Sequence, residues 1–334
     1  MLAVLKDKKA PGVTLKDIPI PKPQKDEVLV KVIYASICGT DIGIYDWIPW
    51  AAAHIKPPAI IGHEIVGKVL EVNSSKKTNL NIGDFVSSET HIFCLNCHQC
   101  QIKNYHICEN IQLFGIGRDG GFAEYATIPL KTTWKNDPSI PLEFMSVQEP
   151  LGNAVHCITK AKVKGKKILV MGLGPVGLCA GAVSRAFKAK EVVGINDEPY
   201  RRKIAQKMGF HRVLDKLDEK EYGTYDIVFE MSGNRLGIDV ALDAVRIGGK
   251  LIAFGIPKAS VTIDWGKYMI NKELTILSVF GRRLWETWRQ TSDLLKSGKI
   301  DLAPIITHKF KLKDFEEAMK LMKSRKCGKI LLEP

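Results

Sequence analysis

Nowhere in its 334 residues does the chain carry an apolar run near the length of a membrane span, and its first residues, MLAVLKDKK, lack the hydrophobic stretch of a secretory leader. A cytoplasmic setting and no membrane partner are expected. Internal repeats and low-complexity tracts are also missing, and a hydrophobic fraction of 45% excludes disorder. No basic stripe is interleaved with the aromatics, which make up only 8%, so the formal charge of +13 does not imply a nucleic-acid partner. That charge is unevenly placed. Residues 1–150 hold 15 basic and 16 acidic residues, while residues 151–334 hold 34 and 20. The basic half is the one suited to an anionic ligand, although solvated lysines explain most of the excess.

Eight cysteines in a chain expected to stay in a reducing compartment point to metal or chemistry rather than disulfides. Four of them, Cys94, Cys97, Cys100 and Cys108, stand in C-x2-C-x2-C-x7-C order. Four thiolates so spaced can close a tetrahedron around zinc with no open position, which would stiffen a lobe over about residues 88–112 and do no chemistry. Unligated thiols and an iron–sulfur cluster are the other readings, the latter without the proline that usually follows its last cysteine.

A length of 334 residues favours about two domains. In the first, residues 2–5, 15–18 and the alternating Val28, Val30 and Val32 read as short strands, giving a β-rich half. Cys38-Gly39-Thr40-Asp41 follows the third strand, and Gly62-His63-Glu64 precedes another. A thiol and an imidazole, each at a strand end, can converge on one zinc and leave a position open. Alone, one cysteine and one histidine are weak evidence.

The second half is organised around KKILVMGLGPVG, residues 166–177. Residues 168–171 are an uninterrupted apolar run, as a parallel strand covered on both faces requires. Gly172, Gly174 and Gly177 then fit a dinucleotide fingerprint, with one glycine for the tight turn, one for close approach of a pyrophosphate and one for helix packing. A second apolar run, 192–195, ends about 20 residues on, where a ribose-binding acid is expected. The helix 199–208 stopped by Gly209 completes a βαβ unit. Further strands at 225–229, 250–254 and 275–279, with helical patterns between them, make a doubly wound parallel sheet that ends near Phe280. Beyond it come helices at 284–297 and 314–326 and a last strand at 329–332 that returns to the first domain. The expected division is a catalytic domain at 1–150, a dinucleotide-binding domain at 151–281 and a returning segment at 282–334, with a ligand cleft between the domains.

Taken together, C-G-T-D at Cys38, G-H-E at Gly62 and the four-cysteine loop resemble the zinc-containing medium-chain alcohol dehydrogenases, from Leu2 to the C-terminus. Further segments resemble that family's threonine-oxidising branch: S-E-T-H-I at Ser88, W-K-N at Trp134, Q-E-P-L-G-N-A-V at Gln148, G-R-R-L-W-E-T-W at Gly281 and P-I-I-T-H-K-F at Pro304. The resemblance implies an α/β protein with a GroES-like β-rich catalytic domain and a Rossmann doubly wound cofactor domain, assembled as a homotetramer. It also implies two zinc ions per subunit, one structural at the four cysteines and one catalytic at Cys38, His63 and Glu64, with Glu149 as an alternate ligand or relay carboxylate. Thr40 would take the proton of the substrate hydroxyl. Zinc would polarise a secondary alcohol so that hydride leaves for a nicotinamide. His91 would either help choose the substrate or be a satisfied structural histidine. On the cofactor side the family pattern implies Val176, Arg201, Phe254, Gly255, Ile256, Val279 and Phe280, mainly through backbone, although apolar residues at strand ends are core by default.

Two positions depart from the pattern. Gly43 replaces a relay histidine, so the proton would pass straight to water, or His54 or His91 would substitute, or the substrate has changed. Asn196 stands where an acid normally holds the ribose, followed by Asp197, Arg201 and Arg202. Asn with two arginines would accept NADP, whereas a one-residue shift to Asp197 keeps NAD slightly ahead. The expected reaction is oxidation of L-threonine to 2-amino-3-oxobutanoate, with a polyol, sugar or 2,3-butanediol dehydrogenase as the alternative. A zinc-stabilised nucleotide-binding protein without chemistry is the alternative from another class, and the set Cys38, Thr40, His63 and Glu64 argues against it.

Overall fold

The computed structural model describes residues 1–334 as two compact units. The first comprises Met1–Glu149, Arg283–Lys296 and Ile306–Pro334, and the second Pro150–Arg282 and Ser297–Ile305. No helix is long and apolar enough to cross a membrane.

In the first unit two long strands, Glu27–Ser36 and Glu64–Asn73, pair antiparallel at the centre of a seven-stranded sheet. Val28, Val30 and Val32 are buried while Lys31 between them is exposed, the period-two pattern of a half-covered strand. The last strand, Lys329–Glu333, pairs with Glu27–Ser36 on one side and Ile306–Lys311 on the other. The C-terminus thus closes the sheet that the N-terminal half began. Val30, Ile37, Ile65, Phe122, Phe315 and Ile330 share one buried cluster beneath it. Ser36 faces Glu64 in register, so this pairing delivers Glu64 to the strand end beside Cys38.

The second unit is a six-stranded parallel sheet. Its order is Arg212–Leu214, Glu191–Ile195, Lys167–Met171, Tyr225–Glu230, Val245–Ala253, Thr275–Ser278, the 3-2-1-4-5-6 order of a doubly wound dinucleotide fold. The edge strand Arg212–Leu214 carries no sequence signal because three residues are too few for a period. The expectation that residues 282–334 return whole to the first unit meets one difference. Ser297–Ile305 stays with the second unit, where its 3-10 turn Ala303–Ile305 packs on the helix Pro199–Lys207 and buries Ile300, Leu302 and Ile305.

Candidate active site

Three side chains from two strand ends converge in the first unit. Cys38 caps the helix Gly39–Tyr45, and its backbone N–H donates to Asp41 Oδ2 at 2.8 Å, which fixes the cap. His63 and Glu64 follow Gly62, whose φ of +93° and the Phe122 ring 2.2 Å from where a Cβ would stand both demand glycine. The ligand atoms of Cys38, His63 and Glu64 lie within 4.8 Å of one another.

Two of these donors and one neighbour have buried polar atoms without a hydrogen-bond partner: His63 Nδ1, Glu64 Oε1 and Asp41 Oδ1. Asp41 Oδ1 and His63 Nδ1 are 3.8 Å apart, too far for a hydrogen bond. Burial opposes charge on His63, yet the Cys38 sulfur and the Asp41 and Glu149 carboxylates outweigh it and raise its pKa to about 10. Burial lifts Asp41 to about 6. The crowded donor atoms and the unpartnered buried atoms among them fit a cation, and soft sulfur, imidazole and carboxylate together suit zinc.

Thr40 Oγ1 lies 3.7 Å from Cys38 Sγ. At Gly43 a Cβ would meet Ile48 Cδ1 at 2.9 Å, so an apolar side chain now fills the space beside that position. His54, one of the two proposed substitutes, is exposed, with its Nδ1 2.7 Å from the Trp50 carbonyl oxygen and its ring stacked on Trp50 at 4.6 Å.

His91 is held firmly. Its Nδ1 sits 2.6 Å from Glu89 Oε1, which also accepts from the His91 backbone N–H at 2.9 Å. Glu89 Oε2 accepts from Trp288 Nε1 at 2.6 Å, and Trp288 packs against Trp134 with ring centroids 5.6 Å apart. Thr90, between Glu89 and His91, donates to Glu149 Oε1 at 3.2 Å. Gln148 donates to Asn136, which in turn donates to Ser87. Thus the S-E-T-H-I, W-K-N and Q-E-P segments and Trp288 form one buried polar and aromatic network. Asp41, Glu89 and Lys329, which is bonded to Glu64, were not singled out from sequence. Glu89 carried a usable signal, its two-residue spacing from His91 along an extended segment.

The four cysteines form a second cluster, with sulfur atoms all within 4.8 Å. Cys94 and Cys100 are 4.0 Å apart and Cys97 and Cys108 3.8 Å. A zinc tetrahedron with bonds of about 2.3 Å has sulfur–sulfur edges of about 3.8 Å, so the cluster matches the ion.

In the second unit the three glycines differ in what they permit. Gly172 has φ +95° and lies against Ser232; a Cβ on Gly177 would stand 2.0 Å from the Gly172 carbonyl oxygen; around Gly174 the nearest atom would be Arg201 Nη1, at 3.9 Å. Open space at Gly174, the N-cap of the 12-residue helix Pro175–Ala186, leaves room for an anion there. Val176 lies half-buried in that helix's first turn. Asn196 is 8% exposed, and its side chain accepts from the Glu198 N–H at 3.0 Å. Arg202 Nη1 donates to the carbonyls of Asn196 and Asp197, at 2.8 and 2.9 Å, which departs from the NADP alternative, in which both arginines face a phosphate. Asp197 is exposed. Of the strand-end residues, Val279 is buried, Phe254 and Gly255 are half-buried, and Ile256 and Phe280 are exposed. Sequence reasoning passed over Glu230, whose Oε1 accepts from the Ser232 and Gly233 N–H groups, and the fully buried Arg282, which donates to Asn153 at 3.0 Å.

Two family models match the chain, the alcohol dehydrogenase GroES-like domain at residues 24–138 and the zinc-binding dehydrogenase at 175–297. The L-threonine 3-dehydrogenase of Pyrococcus abyssi is 43% identical, covering 99% of this chain and 98% of the relative. That of Caldanaerobacter subterraneus is 42% identical over 100% and 99%. Among solved structures, galactitol-1-phosphate dehydrogenase from Escherichia coli superposes with a TM-score of 0.91 at 24% identity, covering 100% of both chains. For 2R,3R-butanediol dehydrogenase from Bacillus subtilis the values are 0.89 and 25%, covering 100% of this chain and 99% of that one.

Elemental analysis of purified protein should find two zinc ions per chain. Cys38→Ser should lose one and stay folded, whereas Cys97→Ser should lose the other together with thermal stability; a single metal in the wild type would contradict the two-cluster assignment.

Proposed function

The chain belongs to the zinc-containing medium-chain alcohol dehydrogenase family, and we propose that it oxidises the 3-hydroxyl of L-threonine to 2-amino-3-oxobutanoate, with NAD as hydride acceptor. The observation that carries this reading is the pairing of the Cys38, His63 and Glu64 donor set with the network of Glu89, Thr90, His91, Asn136, Gln148 and Trp288. The donor set fits alcohol oxidation in general. Full-length identity to L-threonine 3-dehydrogenases supports the narrower substrate.

When bound, zinc would supply a Lewis acid for the substrate hydroxyl and the nicotinamide a hydride acceptor. Cys38, His63 and Glu64 would hold the metal, with Glu149 as the nearby carboxylate. Thr40 would take the hydroxyl proton. With Gly43 beside it and Ile48 filling the adjacent space, the relay would run from Thr40 to solvent without a histidine at that position. His91, oriented by Glu89, would contact the substrate. Gly174 and Val176 at the helix start would receive the pyrophosphate, with Gly172 making the turn and Gly177 letting the helix pack; Arg201 would take the adenosine side, and the backbone of Phe254, Gly255, Ile256, Val279 and Phe280 the nicotinamide side. The tether of Arg202 to two carbonyls removes one of the two cations that a 2′-phosphate would need, which supports NAD, with Asp197 holding the ribose and Asn196 shaping the turn.

Steady-state assays of the zinc-loaded protein should show L-threonine turnover with NAD well above NADP. Preference for NADP would assign Asn196 and Arg201 to a 2′-phosphate, and turnover of 2,3-butanediol or a polyol but not threonine would overturn the substrate. Thr40→Ala should lower kcat by about 10²–10⁴-fold at unchanged zinc content, with Thr40→Ser retaining most activity; an unaffected kcat would exclude Thr40 from proton transfer.

The edge strand Thr275–Ser278 has only one neighbour in the sheet, and Ile276, Trp265 and Ile270 nearby in sequence are exposed. An open edge with apolar residues beside it supports assembly through pairing of these strands in a homotetramer. Light scattering should give four times the 37.2 kDa chain mass, and a monomer would contradict it.

A further inference from the structure

Lys329 is the first residue of the final strand and its side chain is 1% exposed. Its ammonium donates to the Ile37 carbonyl at 3.2 Å and to Glu64 Oε2, and Ser36 Oγ donates to the same carboxylate oxygen. Strand register explains the convergence. Leu331 pairs with Ser36, and Ser36 pairs with Glu64, so the last strand brings an amine to the first residue of another. The two oxygens of Glu64 are therefore in different states. Oε2 has two donors, and Oε1 is buried with no hydrogen-bond partner.

An ammonium taken this far out of water is costly, and an apolar residue would complete the same sheet more cheaply. Holding one oxygen of a carboxylate, by contrast, decides how that carboxylate can meet a metal, because metal-ligating carboxylates are oriented by the hydrogen bonds on their other oxygen. We propose that Lys329 is a positioning residue for the metal centre: with Ser36 it occupies Glu64 Oε2, restricts Glu64 to coordination through Oε1 alone, and offsets the negative charge of the ligand set.

This inference rests on the reading that Cys38, His63 and Glu64 hold the catalytic metal. The test is the visible spectrum of full-length protein loaded with Co(II), for the wild type, Lys329→Arg, Lys329→Met and Ser36→Ala. Cobalt bound at the cysteines is subtracted using Cys38→Ser. A carboxylate released to bind through both oxygens raises the coordination number, so Lys329→Met should lose intensity in the cobalt visible band, Ser36→Ala should lose less, and Lys329→Arg should retain the wild-type band. Superimposable spectra for Lys329→Met and wild type would overturn the proposal, as would an arginine variant altered as much as the methionine one. Should Lys329→Met fail to fold by circular dichroism, Ser36→Ala decides alone, and an unchanged band there rejects the idea. Wild-type protein that takes up cobalt only at the cysteines would reject the underlying metal assignment instead, and the inference with it.

Discussion

Buried polar groups left without hydrogen-bond partners set the terms for the first unit. Cys38, His63 and Glu64 crowd within 4.8 Å, and an unpartnered buried polar atom costs about 1–3 kcal/mol. Three such atoms, on His63, Glu64 and Asp41, are a concentrated liability, and two of them belong to the donor set proposed to hold the metal. The surrounding strands serve to hold that arrangement. Gly62 permits the sharp approach to Phe122, the pairing of Ser36 with Glu64 sets the strand end, and Asp41 locks the helix cap that presents Cys38.

Around that centre, the network of Glu89, His91 and Trp288 supplies orientation. A fully buried carboxylate that accepts from an imidazole, an indole and a backbone N–H leaves little freedom in any of them. Its members come from distant segments, Trp288 lying 199 residues beyond Glu89 in sequence. This is why the helix Glu286–Lys296 belongs to the first unit although it follows the parallel sheet. In the second unit the corresponding constraint is space. Gly172 and Gly177 are required by contact with neighbouring backbone, whereas Gly174 borders an opening, so the fingerprint separates into two packing glycines and one beside open space.

Much of this was legible in the chain itself. The apolar run at residues 168–171, the glycine spacing after it and the order of strands and helices announced the parallel sheet, because a strand covered on both faces needs no polar alternation. The four-cysteine spacing announced its cluster, since the ligands are local in sequence. Cys38 with His63 was only weakly legible from two strand ends, and the full set with Glu64 came through resemblance, the two segments being too far apart for spacing to say that they meet. The edge strand Arg212–Leu214 and the placement of Ser297–Ile305 were not legible, because both depend on which neighbour offers a surface.

Sequence alone determined the elements whose partners lie close by: the fingerprint turn, the cysteine lobe and the alternating strand of Val28, Val30 and Val32. Tertiary structure decided the charges. In the sequence Lys329 only begins a short apolar strand, Asn196 with Arg201 and Arg202 leaves NADP open beside a slightly favoured NAD, and Gly43 leaves the proton a path to water, to His54 or to His91, or a changed substrate. Only the folded chain buries that lysine against Glu64, ties Arg202 to two carbonyls and fills the space beside Gly43 with Ile48. The physical reason is that a charged side chain's partner is set by what the sheet register brings within hydrogen-bond reach, and register is a property of pairs of strands rather than of either one.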